Sequence, residues 1–255
     1  MTLIDTHAHL YSEQFDDDRN GMVQRALATG VERMYLPNVD SQSIQGMLAL
    51  EEAFPQHCFA MMGLHPCSVD ANYKKELAIA EKWLADRPFC AVGEIGIDLY
   101  WDKTHISEQK SAFITQIHWA RELNIPFIIH SRESIDEIIK IVDAEQDGNL
   151  RGIFHCFSGT VEQAYIIQQL GFLMGIGGVL TYKKADLPEV VKQVPLTALV
   201  LETDAPYLPP TPHRGKRNES AYLTLIAEKL AEAKQTTIEE VAAVTTANAL
   251  QLFGD

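Results

Sequence analysis

The sequence lacks several features that would assign it to a common class of protein. It contains no apolar run approaching the roughly 18 residues of a membrane span. Its start has neither a basic segment nor an apolar stretch of signal-peptide length. Its four cysteines are isolated, without C-x-x-C spacing, which is typical of reduced thiols and not of a disulfide framework or a zinc knuckle. We therefore predict a cytoplasmic protein that does not bind a membrane.

Basic residues are also scarce. The chain has 21 Lys and Arg against 35 Asp and Glu, a formal net charge of −14. This excludes the strongly basic profile of proteins that coat nucleic acids, so a polyanionic substrate would have to be bound by a local site. Apolar residues make up 46% of the chain, and no low-complexity tract or Gly/Ser-rich linker divides it. We predict one domain over 1–255, and the sequence indicates no obligate protein partner.

Short apolar runs alternate with helical patterns along the whole chain. The runs predict buried parallel strands at Leu3–Thr6, Glu32–Leu36, Cys58–Leu64, Phe89–Ile95, Pro126–Ile129, Arg151–Phe154, Gly171–Ile176 and Leu199–Glu202. Helices are predicted at 16–29, 41–54, 74–85, 107–123, 132–146, 160–170, 186–193, 219–233 and 237–252. Eight strands in this alternation indicate an α/β fold, a (β/α)8 TIM barrel. An open doubly wound sheet is the competing architecture.

Imidazoles and carboxylates stand at the carboxyl ends of the predicted strands. His7 and His9 are two residues apart, so both side chains point to the same side of an extended chain. Later strand ends carry Glu94, His130, His155 and Asp204. In a barrel these ends converge on one mouth, and this convergence favours the closed architecture. Buried carboxylates need a cation, and clustered histidines depress one another's pKa, so a bound divalent metal is the simplest explanation.

The six donors exceed the needs of one tetrahedral zinc, which keeps three protein ligands when it is catalytic. Two metals about 3.5–4 Å apart, bridged by a carboxylate, would use all of them. We predict that Glu94 is the bridge and that Asp204 both binds a metal and accepts the proton of the attacking water. The cofactor is then one or two divalent ions. The imidazoles suit Zn²⁺, Mn²⁺ or Co²⁺ better than Mg²⁺, and the sequence leaves the metal open.

Other polar residues near the strand ends have weaker indications. His57, His105 and His118 fall in helical or loop contexts and are interpreted as ordinary surface or packing residues. Asp98 could support the site or could only cap the next helix. Glu202 is two residues before Asp204, so both side chains point to the same side of an extended chain. Glu202 could therefore face the barrel interior one layer below Asp204 and hydrogen-bond a ligand histidine.

A proline-rich loop follows the last predicted strand. It carries Arg214, Lys216 and Arg217 within four residues of an otherwise acidic chain. A solvated basic loop would explain these cations. However, loops after the last strands of this fold often bind phosphate, and arginine pairs well with phosphate oxygens. We therefore predict that Arg214 and Lys216 bind substrate.

With these residues identified, the chain resembles the TatD family of metal-dependent hydrolases, within the amidohydrolase-like barrels. The resemblance covers nearly the whole length and is carried by IDTHAHL, GLHP at 63–66, VGEIGID at 92–98, IIHSRE at 128–133, FHCFSG at 154–159, ETDAPYL at 202–208 and HRGKRN at 213–218. It implies a metal-dependent deoxyribonuclease barrel that works from 3′ ends of single strands. The family's metal positions fall on His7, His9, Glu94, His130, His155 and Asp204, and its pocket histidine falls on His65, near the scissile phosphate.

The chain departs from the family pattern at two places. Leu99–Trp101 stands where an aromatic residue more often follows the Asp directly, and Ser220 stands where a proline is common. Neither position is a predicted ligand. Both lie in loops expected to face the substrate.

The sequence thus predicts hydrolysis of phosphodiesters at short or single-stranded DNA ends, because the acidic body would repel long duplex. Two other functions stay open. Related barrels cleave other esters and amides, such as the ester of D-aminoacyl-tRNA. Many of these have a modified lysine as metal bridge at strand 4, whereas this chain has Glu94. The other alternative is a metal-binding scaffold without catalysis.

Overall fold

The computed structural model describes residues 1–254 of the chain. Each apolar run of the sequence forms a parallel strand, and most strand residues are fully buried. The strands are β1 (Leu3–Asp5), β2 (Val31–Leu36), β3 (Cys58–Ala60), β4 (Val92–Asp98), β5 (Phe127–Arg132), β6 (Gly152–Phe154), β7 (Phe172–Ile176) and β8 (Leu199–Leu201). The predicted parallel α/β architecture is confirmed.

The strands pair in chain order, first β1 to β3 and then β4 to β8. Two seams separate these groups, and backbone contacts cross both of them. Met62 pairs with Val92 between β3 and β4. The Thr6 amide donates to the Leu201 carbonyl at 3.0 Å between β1 and β8. Contacts across both seams agree with the closed barrel rather than an open sheet.

Helices surround the strands and cover their outer faces with apolar side chains. They are α1 (Arg19–Ala28), α2 (Ile44–Ala53), α3 (Tyr73–Asp86), α4 (Ile106–Leu123), α5 (Ile135–Glu145), α6 (Val161–Gln169), α7 (Leu187–Gln193), α8 (Leu223–Lys234) and α9 (Ile238–Phe253). The start of α6 has the capping box expected from its sequence, with Thr160 and Gln163 bonded reciprocally. Within residues 1–254, none of these helices has the length and hydropathy needed to cross a bilayer.

Strand β4 differs from its predicted position. It spans Val92–Asp98, three residues later than the predicted Phe89–Ile95. Its pairing with β5 explains the shift, because Gly96 is in register with His130 and Asp98 with Arg132. Glu94 consequently lies inside the strand instead of near its end, and Asp98 becomes the last strand residue.

Candidate metal centre

The Glu94 carboxylate lies at the centre of the barrel mouth, and its two oxygens face different imidazoles. Oε2 lies 3.1 Å from Nε2 of His7 and 3.4 Å from Nε2 of His9. Oε1 lies 2.8 Å from Nδ1 of His130 and 2.9 Å from Nε2 of His155. One carboxylate thus has a separate set of nitrogen donors at each oxygen, the arrangement that a carboxylate bridging two ions requires.

Asp204 lies across the mouth from the β4 strand. Its Oδ1 is 3.8 Å from Nε2 of His7 and 3.7 Å from Nε2 of His9. Three groups of donor atoms lie mutually within 4.8 Å: His7, His155 and Asp204; His7, His9 and Glu94; and His65, Glu94 and His130. The structure therefore brings together all six residues that the sequence proposes as ligands, and it adds His65 to the cluster.

The backbone fixes the ends of β1 and β8 against each other. The Asp204 amide donates to the His7 carbonyl at 2.9 Å, and the His9 amide donates to the Ala205 carbonyl at 2.7 Å. Asp204 itself has a φ of 54°, the left-handed region, which aspartate tolerates better than most residues. This conformation turns the chain just beyond β8, so that the Asp204 carboxylate faces the imidazoles from β1.

A buried carboxylate below the centre strengthens this junction. Asp5 accepts hydrogen bonds from the Thr203 amide at 2.9 Å, the Thr203 hydroxyl at 2.6 Å and the Ser220 hydroxyl at 2.6 Å. Burial raises the pKa of Asp5 to about 7 despite these bonds. The serine that departs from the family pattern therefore has a structural role, since a proline at position 220 would have no hydroxyl to donate.

The buried side chains at the mouth are better explained as ligands of a divalent metal than as hydrogen-bond partners of one another. Within residues 1–254, both ring nitrogens of His7, Oε2 of Glu94 and Nδ1 of His155 have no hydrogen-bond partner. An unsatisfied buried polar atom costs about 1–3 kcal/mol. Nε2 of His7 and Oε2 of Glu94 lie 3.1 Å apart without hydrogen-bond alignment, as donors directed at a common ion do. Imidazole nitrogens and carboxylate oxygens are the ligands that Zn²⁺ and similar ions take.

The pKa shifts at the centre follow from burial and from the neighbouring charges. Burial opposes the charge of Glu94, yet the charge of His155 and a hydrogen bond from His130 hold its pKa well below the usual value. Burial, with a contribution from His155, keeps the pKa of His7 well below its usual value. Burial raises the pKa of Asp204 to about 6. His7 is therefore a neutral imidazole and Glu94 an anion, as metal ligands need to be. The charges of Glu94 and Glu202 outweigh burial at His155 and raise its pKa well above the usual value, so a metal would displace a proton there.

Two carboxylates lie behind the ligand histidines. Oδ2 of Asp98 is 2.9 Å from Nε2 of His130. Oε1 of Glu202 is 3.4 Å from Nδ1 of His155 and accepts the Cys156 amide at 2.6 Å. Carboxylates in this position fix the orientation and tautomer of a ligand histidine. The structure thus places Glu202 next to a ligand histidine, as its spacing from Asp204 predicts. Asp98 contacts another ligand histidine.

Tyr11 supports the site in a way that the sequence analysis missed. Its hydroxyl donates to the Pro37 carbonyl at 2.5 Å and lies 2.9 Å from Nδ1 of His9. Because the hydroxyl proton is committed to Pro37, its oxygen accepts the Nδ1 proton of His9. This leaves the Nε2 lone pair of His9 directed at Glu94 and Asp204. The i+2 spacing between His9 and Tyr11 was the available signal.

The residues proposed to bind substrate fall into two places. His65 lies inside the donor cluster, with Nε2 3.3 Å from Oε1 of Glu94. Arg214 and Lys216 are exposed on the loop after β8, and the Arg214 guanidinium lies 3.7 Å from the centre of the Tyr182 ring. The third cation of that loop, Arg217, is instead paired with Asp18 at 2.7 Å.

Comparison with known proteins gives a consistent result. The family described as TatD related DNase matches residues 4–254. The uncharacterized metal-dependent hydrolase YabD of Bacillus subtilis is 40% identical, with 98% of both chains covered. The 3'-5' ssDNA/RNA exonuclease TatD of Salmonella typhimurium is 35% identical, again with 98% of both chains covered. The crystal structure of YjjV, a TatD homologue from Escherichia coli, superposes with a TM-score of 0.93 at 30% identity, covering 99% of this chain and 98% of YjjV.

Proposed function

This chain belongs to the family of TatD-related DNases and is a metal-dependent hydrolase, and we propose that it cleaves phosphodiester bonds of single-stranded DNA from the 3′ end. We place this activity in a single cytoplasmic barrel over residues 1–255. The observation that carries the proposal is the Glu94 carboxylate, with imidazoles 2.8–3.4 Å from its two oxygens. The exonuclease name of the Salmonella relative supports the choice of substrate.

One or two divalent ions of Zn, Mn, Co or Mg would be held by His7, His9, Glu94, His130, His155 and Asp204. Such ions lower the pKa of water and neutralise phosphate oxygens. Glu94 would be the ligand that the two halves of the site share. Its side chain is only 2% exposed, so no solvent competes for its oxygens.

Asp204 is the carboxylate that a water molecule can reach. Its side chain is 13% exposed, against 2% for Glu94. Asp204 therefore accepts the proton of the attacking water, while Glu94 keeps its charge within the buried centre. His65, whose side chain is 14% exposed, borders the same opening and contacts the reacting phosphate.

A cationic rim on the β7 and β8 side of the mouth binds the rest of the substrate backbone. Lys183, Lys184 and Arg214 line a cavity of about 470 Å³ together with Tyr182 and Thr211. Lys216 lies exposed on the same loop as Arg214. This local concentration of cations attracts phosphates, whereas the acidic body of the protein, with a net charge of −14, repels long duplex. The preferred substrates are therefore short or single-stranded ends.

The test measures hydrolysis after the metal is removed by a chelator and then added back as Zn²⁺, Mn²⁺, Co²⁺ or Mg²⁺. We expect 3′-labelled single-stranded DNA to lose label first and closed circular duplex to stay intact. A lactone and a D-aminoacyl ester test the other hydrolase reactions. Faster turnover of either ester than of DNA would contradict the proposal.

An Asp204→Asn variant tests the role of this carboxylate. We expect it to keep the fold and most of the bound metal, but to lose hydrolysis because the amide cannot accept the proton. Metal content, circular dichroism and cleavage rate are measured on the same preparation. If hydrolysis were unchanged, Asp204 would not be the proton acceptor, and if neither protein hydrolysed any substrate, the chain would be a metal-binding scaffold.

A further inference from the structure

The turn after β4 exposes two adjacent aromatic side chains. Trp101 is 67% exposed and Tyr100 is 47% exposed. The chain has three tryptophans, and the other two, Trp83 and Trp119, are intermediate and buried. The rings of Tyr100 and Trp101 lie 4.8 Å apart at 87°, and they form one aromatic surface. Leaving a large apolar side chain in water forgoes about 1.5–3 kcal/mol of burial, so this pair does not serve the core.

A single carboxylate connects this turn to the metal centre. Oδ1 of Asp98 accepts the amides of Tyr100 at 2.9 Å and Trp101 at 3.0 Å. Oδ2 of the same side chain lies 2.9 Å from Nε2 of His130. The aromatic surface is therefore held in a defined position relative to a proposed ligand of the metal, at the edge of the mouth.

Arg132 adds a positive charge to the aromatic surface. It is the last residue of β5 and is in register with Asp98. Its guanidinium lies 3.9 Å from the centre of the Tyr100 ring and 5.3 Å from that of Trp101. Within residues 1–254, Arg132 forms no ion pair with a carboxylate, so its guanidinium is available to an anionic ligand. Aromatic faces beside an arginine are how proteins bind single-stranded nucleic acids without reading their sequence.

We propose that Tyr100, Trp101 and Arg132 form a nucleobase subsite for the DNA strand whose phosphodiester lies at the metal centre. Trp101 stacks on a base near the cleaved bond, and Arg132 contacts the phosphate beside that base. The subsite accepts any base, since every base has a π face. This inference rests on the proposed function, because it needs a polynucleotide at the centre.

Fluorescence provides a direct test, because Trp101 is the most exposed tryptophan of the described chain. A phosphorothioate oligothymidylate, which resists cleavage, is titrated into the metal-loaded protein. A matched strand carries abasic sites in place of the bases. We expect the oligothymidylate to quench the tryptophan emission and the abasic strand to bind about 10-fold or more weakly, since stacking contributes about 1–3 kcal/mol per base.

Variants separate stacking from general effects on the loop. Trp101→Ala should weaken binding of the oligothymidylate about 10- to 100-fold and leave binding of the abasic strand unchanged. Trp101→Phe should restore most of the affinity. Tyr165→Ala is the matched control, because Tyr165 is an aromatic residue on α6 that is 43% exposed, and it should bind as the wild type does.

Three outcomes would overturn the subsite. They are equal affinity of the wild type for both strands, wild-type affinity in Trp101→Ala, and an equal loss for both strands in that variant. If the wild-type protein still degrades single-stranded DNA in any of these cases, the proposed function stands without the subsite. If the wild type neither binds nor cleaves the strand, both proposals fail.

Discussion

Replacing Glu202 by glutamine changes the support of His155 without changing the shape of the side chain. Glu202 is fully buried, with Oε1 2.6 Å from the Cys156 amide and 3.4 Å from Nδ1 of His155. Gly175 leaves the space that this carboxylate occupies, since a Cβ there would overlap Oε2. Glutamine fits the same space, so Glu202→Gln removes the charge and leaves the packing as it is.

The expected magnitude follows from what the carboxylate does for the imidazole. A carboxylate placed behind a ligand histidine fixes its tautomer and raises its basicity, and losing it reduces metal affinity about 10- to 100-fold. This corresponds to about 1.4–2.7 kcal/mol of binding free energy. The metal-free protein should lose much less, because Oε2 of Glu202 has no hydrogen-bond partner within residues 1–254. We expect its free energy of unfolding to change by no more than about 1 kcal/mol.

Metal affinity is measured by competition with a chromophoric chelator, and stability by urea unfolding of the metal-free protein. Glu219→Gln is the control, because Glu219 is also buried but accepts hydrogen bonds from Arg25 at 2.7 and 2.9 Å. It should lower stability and leave metal affinity unchanged. Wild-type metal affinity in Glu202→Gln, or an equal loss in the Glu219 variant, would refute the role given to Glu202.

Three further predictions concern metal, capping and pH. Chelation should lower the melting temperature seen by calorimetry, since metal at 100 times its Kd stabilises the fold by about 2.7 kcal/mol; an unchanged value would exclude a resident ion. Thr160→Ala removes the cap of α6, so urea unfolding should show a loss of about 1 kcal/mol that Thr160→Ser restores. Arg217 and Arg25 hold the pKa of Asp18 well below its ordinary value of 3.8, so this pairing stabilises the fold above that pH and its contribution is lost on acidification. Asp18→Asn should therefore flatten the fall in unfolding free energy below about pH 4, and a wild-type slope would contradict this.

Most of what the sequence could predict concerns the site residues at the strand ends. His7 and His155 each follow an apolar run, and parallel strands place their carboxyl ends at one mouth. The convergence of these two histidines could therefore be predicted from the sequence alone. The shift of β4 was not predictable, because its register with β5 is a long-range pairing that an apolar pattern does not encode. The links from Asp98 to Trp101 and from Tyr11 to His9 depend on loop backbones, and spacing alone does not specify those.

The unpartnered polar atoms at the barrel mouth lower the stability of the metal-free protein. Each unpartnered buried atom of His7, Glu94 and His155 costs about 1–3 kcal/mol, which is a large amount against a typical net stability of about 5–15 kcal/mol. Burial of the apolar core around the strands offsets this cost in the metal-free chain. A bound cation would remove the part of this cost that falls on Nε2 of His7 and Oε2 of Glu94, by giving these two atoms a partner. The groups that make the centre reactive therefore make the empty barrel less stable, and folding and metal binding are thermodynamically linked at this site.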